Sequence, residues 1–479
     1  MKSRSGGRNT RILRALLPIL VGIVIALVPP PSGLTRNAWY FFALFAAVIT
    51  GAVTEPIPVA AVVFSGITVA AVTGLVFSPP SQSISWALSG FSNTTVWLIF
   101  AAFMFATGYF KTGLGKRIAL SLIKRLGKRT IGLGYATALS DLVLAPFIPS
   151  NTARSGGTIY PIVANIPGLY GSKPGPTARK IGAYIMYTAF AAQAVTSSMF
   201  LTSLAPNVLV AGMMQQILKV QIQWTTWMVG FLPVGIILFL LVPVLLYWIY
   251  PPEIKNAPEA PIWAAKQLKE MGKITRKEIT LLGLVILALV LWIGGTQFID
   301  STTVAVLVVA LMVILNVVSW SDVIGNKEAW NVLIWIGGFV TMADGLTRVK
   351  FVDWIAGSVE PTFRGLNLVL GIILLVGVFF FLHYFFASLT PHATALFPVF
   401  LAVAVKVPGL SPTAWGLLLG YTLGMMGILT PYATGPAPIY YGAGYIKTRD
   451  FWALGLIFGL LFFLIYILVG VPWMLFLKL

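Results

Sequence analysis

From Ile131 to Asn165 the chain is apolar, yet the stretch is too long for one ordinary membrane span, which needs roughly 20 residues. Its centre turns polar and broken, at Pro146-Phe147-Ile148-Pro149-Ser150-Asn151-Thr152-Ala153-Arg154. Basic residues crowd both ends: Lys111, Lys116, Arg117, Lys124, Arg125, Lys128 and Arg129 before it, Lys173, Arg179 and Lys180 after it. Loops rich in Lys and Arg mark the cytoplasmic side of a membrane. A segment with both flanks on that side must enter, turn and leave by one face. It therefore reads as a re-entrant hairpin with Ser-Asn-Thr near its tip. Irregular polar backbone survives at membrane depth only where protein buries it or it borders a cavity, so the tip points to a transport site.

Composition fixes the class. The 479 residues are 58% hydrophobic and only 9% charged, with a mean hydropathy of +0.91, which is the make-up of an all-α polytopic membrane protein. The apolar runs amount to about eleven spans plus two hairpins. The net charge of +19 sits between the spans, where topology and anionic lipid headgroups account for it and a nucleic-acid partner is not needed. There is no cysteine and there are two histidines, which removes disulfides, thiolate chemistry and iron–sulfur clusters. No phosphate loop or metal-ligand cluster is present, so no cofactor is expected. Paired acid/base groups are also missing, so an enzyme is not expected. The N-terminal basic residues ahead of the first apolar run place that end in the cytoplasm, with the run an uncleaved first helix. The C-terminus is then expected outside.

Elements recur along the chain. A second long apolar stretch, 368–405, has the centre Ala387-Ser388-Leu389-Thr390-Pro391-His392. Ser388 and Thr390 lie 238 positions after Ser150 and Thr152, as Trp335 does after Trp97. Two helices are interrupted, one at Thr202-Ser203-Leu204-Ala205-Pro206-Asn207 and one at Leu429-Thr430-Pro431-Tyr432-Ala433-Thr434-Gly435-Pro436, and Pro436 lies 230 positions after Pro206. The polar loop around 251–278 divides a first half (1–250, hairpin 131–165) from a second (279–479, hairpin 368–405). An odd number of spans separates matching elements, so the halves are expected to be inverted. The first hairpin then opens to the cytoplasm and the second outward. Inverted repeats whose broken helices meet near the midplane are typical of secondary transporters.

Four broken elements are thus expected to converge. Helix breaks free amides at helix N-termini, where a small anion can be held. Ser150, Asn151, Thr152, Ser388, Thr390 and Thr434 offer neutral donors, with Thr202, Pro206, Asn207, Thr430 and Pro436 at the helix breaks. Carbonyls and the same side chains also suit a hard cation such as Na⁺. Arg154 is costly inside a membrane, at about 2.5–3.5 kcal/mol, and a guanidinium can grip a carboxylate through two hydrogen bonds. His392 offers a donor and, when protonated, a charge. Asp141, Asp344 and His383 read as packing residues. Ser92-Asn93-Thr94 reads as a helix cap.

At these residues the chain resembles the divalent anion/sodium symporter family over nearly its whole length. The strings that carry the likeness are Gly90-Phe91-Ser92-Asn93-Thr94-Thr95-Val96-Trp97, Pro149-Ser150-Asn151-Thr152-Ala153-Arg154 and Leu429-Thr430-Pro431-Tyr432-Ala433-Thr434-Gly435-Pro436. It is closest to the branch of bacterial citrate, tartrate and succinate exchangers and plastid 2-oxoglutarate/malate translocators. The resemblance implies a homodimer of eleven-span protomers with elevator-type movement in the cytoplasmic membrane, and di- or tricarboxylate substrates held by two Ser-Asn-Thr motifs that also build sodium sites. The first motif is complete here. In the second, Leu389 replaces the asparagine and offers no ligand to Na⁺, which leaves at most a vestigial sodium site at Ser150 and Asn151. Arg154 and His392 are expected to supply positive charge in place of sodium. That favours exchange of one dicarboxylate for another, with sodium-coupled symport as the alternative.

Overall fold

The computed structural model describes residues 8–363 and 367–478, and every element named in them is helical. Among the described residues, seven helices are long and apolar enough to cross a membrane: Arg36–Thr54, Thr94–Thr112, Trp224–Ile249, Arg276–Gly294, Lys327–Arg348, Leu368–Phe385 and Thr448–Phe476. Shorter apolar helices, among them Leu13–Leu27, Val59–Thr73 and Ser301–Ile314, accompany them. The chain is a multi-pass membrane protein. Helix starts follow local chemistry: Asn93 caps Thr94–Thr112 by accepting from Thr95 N, as the sequence indicates. Thr275 and Glu278 form a reciprocal capping box on Arg276–Gly294.

Both expected hairpins are present. In the first, Thr130–Leu144 descends to the break and a widened π-type helix, Thr152–Ile159, leads back through Tyr160–Val163 and Ile166–Leu169. Its two feet lie at the same end of the molecule, because residues 253–257 bond to both. Thr130 N donates to Lys255 O (3.0 Å) and Ala257 N to Lys128 O (2.9 Å), while Glu253 N donates to Arg179 O and Ile254 N to Lys180 O (both 2.9 Å). In the second, Leu368–Phe381 and Leu389–Ala404 flank a short turn, Leu382–Phe385.

Two readings are refined. The basic clusters are carried largely by helices instead of loops: Leu114–Leu126 holds Lys116, Arg117, Lys124 and Arg125, and the polar joint contains Glu259–Glu270, which packs on it. Arg117 fastens this layer to the buried Glu278 carboxylate, Nε to Oε1 2.6 Å. Such amphipathic helices keep an apolar face for the core while their cations stay in water, a pattern that reads as a loop when only apolar runs are counted.

Candidate functional site

The first broken helix shows why the site forms. Gly182–Met199 stops, Phe200 and Leu204 adopt extended backbone either side of Leu201–Ser203, and Ala205–Leu218 restarts with Pro206 in its first turn. Proline is tolerated there because its missing N–H has no helical partner to lose. The hairpin tip plugs into this gap: Ala205 N donates to Pro149 O at 3.0 Å, and the Thr202 hydroxyl donates to Pro146 O at 2.6 Å. In the second half the Tyr432 hydroxyl donates to Tyr384 O at 3.0 Å. Tyr432 and Tyr384 stand 230 and 238 positions after Thr202 and Pro146. The duplicated strings thus make the same contact twice.

All four breaks meet at one cavity of about 200 Å³, whose lining includes Pro149, Ser150, Asn151, Thr152, Pro206, Ser388, Leu389, Thr390, Thr434 and Gly435. That is below the range for drug-sized ligands and suits a small acid. Three helices begin at its wall, with Thr152, Ala205 and Leu389 as their first residues, so their positive ends favour an anion. The facing wall is Phe103 from Thr94–Thr112 with Glu328, Val332 and Trp335 from Lys327–Arg348. A wider cavity of about 390 Å³ shares Phe103, Ser150 and Glu328 and reaches Lys111 and Asp322, which form an ion pair at its rim. The two cavities thus adjoin at the hairpin tip.

Within the cavity the Asn151 amide donates to Thr434 Oγ1 (2.7 Å) and Gln193 Oε1 (3.2 Å), tying the first hairpin to both broken helices. Thr152 lies so near Gly435 that a Cβ there would clash with its hydroxyl. Ser150 also accepts from Ala153 N (3.2 Å), so it caps the returning helix while lining the cavity.

Other expected contacts fall elsewhere. Arg154 does not line the cavity: it is 0% exposed. Its Nε donates to Asp141 (3.1 Å), one terminal nitrogen to Ile148 O (2.8 Å) and Ser203 O (2.6 Å), and the other to Ser197 Oγ (2.9 Å). Thr196 also donates to Asp141. A guanidinium satisfied in this way has no fork left for a substrate carboxylate, and its charge is already balanced. His392 is buried too, its ring among Phe379, Phe386 and His383 at centroid distances of 4.5, 5.0 and 5.1 Å. Neither of its nitrogens meets a protein partner. Thr202 and Asn207 serve the break itself: Thr202 also accepts from Trp224 Nε1 (2.9 Å), and Asn207 donates to Ser197 O (2.7 Å) and Phe200 O (3.1 Å). Thr430 and Pro436 are buried beside the cavity, outside its lining.

At the first break the carbonyls of Ile148 and Ser203 accept from Arg154. Sequence reasoning missed Asp141 as the partner of Arg154, Gln193 as the partner of Asn151, and the Glu328 wall. Gln193, with Thr196, Ser197 and Ser198, stands out as polar in a wholly buried helix, which is a usable signal. Asp344, by contrast, has the packing role expected, accepting from Trp86 Nε1 at 3.1 Å and pairing with Arg348.

Comparison with known proteins bears on the family and the fold. The family model described as the sodium:sulfate symporter transmembrane region matches residues 9–479. The L-tartrate/succinate antiporters of Shigella sonnei (strain Ss046) and Escherichia coli (strain K12) are each 46% identical over 479 residues, covering 97% of this chain and 98% of the relative. Among solved structures, the Alcanivorax borkumensis YdaH transporter has a TM-score of 0.56 at 16% identity, covering 98% of this chain and 99% of its own. Neisseria gonorrhoeae MtrF has a TM-score of 0.55 at 13% identity, covering 98% and 96%. These two share the fold. With a family model spanning nearly its full length, the chain belongs to the sodium:sulfate symporter family, the divalent anion/sodium symporters whose strings it carries.

Proposed function

We propose that the protein exchanges one di- or tricarboxylate for another across the cytoplasmic membrane, without sodium. Succinate, malate, fumarate, 2-oxoglutarate, tartrate and citrate are the substrate class. The cavity carries this reading: four backbone breaks surround about 200 Å³ with neutral donors and three helix N-termini. Such groups hold carboxylates without a buried charge. The name of the 46% identical relatives, L-tartrate/succinate antiporter, points the same way.

Sodium independence follows from Arg154. Its guanidinium bridges the carbonyls of Ile148 and Ser203, holding the hairpin break to the helix break as a coordinated cation would. Because Asp141 balances the charge, obligatory exchange does not come from an uncompensated arginine waiting for substrate. We attribute it instead to the polar cavity: crossing empty exposes unpaired hydroxyls, amides and helix ends, and a bound acid satisfies them. Movement of the hairpin tips past the Phe103–Trp335 wall, in the manner of an elevator, would carry the acid across.

The test is counterflow in proteoliposomes. Labelled succinate or tartrate should enter only vesicles preloaded with unlabelled dicarboxylate, equally in sodium and in choline media. Uptake that requires a sodium gradient and ignores internal dicarboxylate would sink the proposal. The complete Ser150-Asn151-Thr152 motif is the one feature that favours the symport alternative.

A further inference from the structure

The substrate cavity has one feature at odds with an anion site. Nearly all of its polar side chains are neutral hydroxyls or amides, able to donate to a carboxylate, but the opposite wall carries Glu328. Ser150 at the hairpin tip lines the same two cavities as this carboxylate. Among the described ion pairs none includes Glu328. Lys111, the cation that shares the wider cavity with it, is committed to Asp322.

An ionised carboxylate can only accept hydrogen bonds. A plain dicarboxylate brings it no donor and adds like-charge repulsion, although Glu328 itself is exposed to water in this state. A hydroxyl next to a carboxylate reverses this. The hydroxyl donates to Glu328 while the carboxylates take the Ser and Thr hydroxyls and the helix N-termini opposite. Sites that hydrogen-bond a substrate hydroxyl discriminate far better against analogues lacking it than sites that merely fit its shape.

We propose that Glu328 is a specificity residue that selects hydroxylated dicarboxylates over unsubstituted acids of the same length by accepting from the substrate hydroxyl. This rests on the dicarboxylate reading above. Glu328 lies in the first turn of Lys327–Arg348, where acids also favour the helix dipole. A purely structural role of that kind would change stability or rate without changing the ratio between two substrates.

The experiment measures competition of malate, tartrate and succinate against labelled succinate counterflow, in wild type, Glu328→Gln and Glu328→Asp. Monodispersity of each purified variant serves as the folding control. Wild type should prefer the hydroxylated acids. Glu328→Gln, whose amide oxygen still accepts but without charge, should reduce that preference about fivefold, while Glu328→Asp keeps part of it. An unchanged ratio in Glu328→Gln would overturn the inference, and so would equal gains for all three acids, which indicate repulsion alone. Counterflow absent from the wild type would overturn the dicarboxylate reading itself, and this inference with it.

Discussion

The two hairpins share a plan and differ in what holds it. In the first, a charged network spans the break: Arg154 reaches Asp141, Ile148 O, Ser203 O and Ser197. In the second, the residues 238 positions after Arg154, Asp141 and Ile148 are His392, Phe379 and Phe386, which pack ring against ring. The carbonyl matching that of Ser203 belongs to Ala433, and it contacts His383 Nε2 at 2.8 Å. Asn151 and Gln193 are bonded in the first half, while buried Leu389 and Leu423 stand at the matching positions of the second. One duplicated frame therefore tolerates two chemistries at its breaks, an ionic network in one and packed rings with a single histidine contact in the other.

Arg154→Met should have the largest effect. It strands a buried carboxylate and two carbonyls, at a cost of about 3–5 kcal/mol, visible as a lower melting temperature in detergent. Adding Asp141→Leu should recover most of this loss, because removing both charges spares the desolvation penalty. Gly435→Ala should come next. The clash with Thr152 amounts to overpacking of about 1–3 kcal/mol, read as a roughly tenfold fall in counterflow that Thr152→Ala partly restores.

Exchanging the hairpins' own residues is a gentler test. Asn151→Leu should cost about 1–3 kcal/mol by leaving Gln193 without its donor. Leu389→Asn should cost a similar amount by burying a new amide, and its counterflow should stay sodium-independent. His392→Phe should be smallest, under about 1 kcal/mol, since aromatic rings already surround it and the swap roughly conserves volume. If His392→Phe destabilised as much as Arg154→Met, the contrast between the hairpins would fail.

Much of this frame is legible in the residues. Basic flanks around an overlong apolar run mark the first hairpin, and the repeat spacings locate its partner and both broken helices. The cavity collects Ser150, Asn151, Thr152, Ser388, Thr390 and Thr434 as the motif chemistry implies. What was illegible is direction. Arg154 and His392 are the boldest polar residues near the tips, yet both are buried outside the cavity lining, because a helix turned by a few residues hides a side chain that its spacing alone leaves free. Glu328 was missed for the opposite reason: an acid at a helix start is what the dipole favours anyway, so nothing flags it.

The bond between Asn151 and Thr434 joins positions 283 apart. Arg154, by contrast, finds each of its partners within 49 positions. At ordinary synthesis rates the gap to Thr434 corresponds to roughly 15–60 s. The first break can thus be locked early, soon after Ser203 is inserted, while its amide-bearing tip waits for nearly the whole remaining chain. A nascent protein truncated before residue 434 would hold a finished ionic clasp beside an unfinished binding chamber.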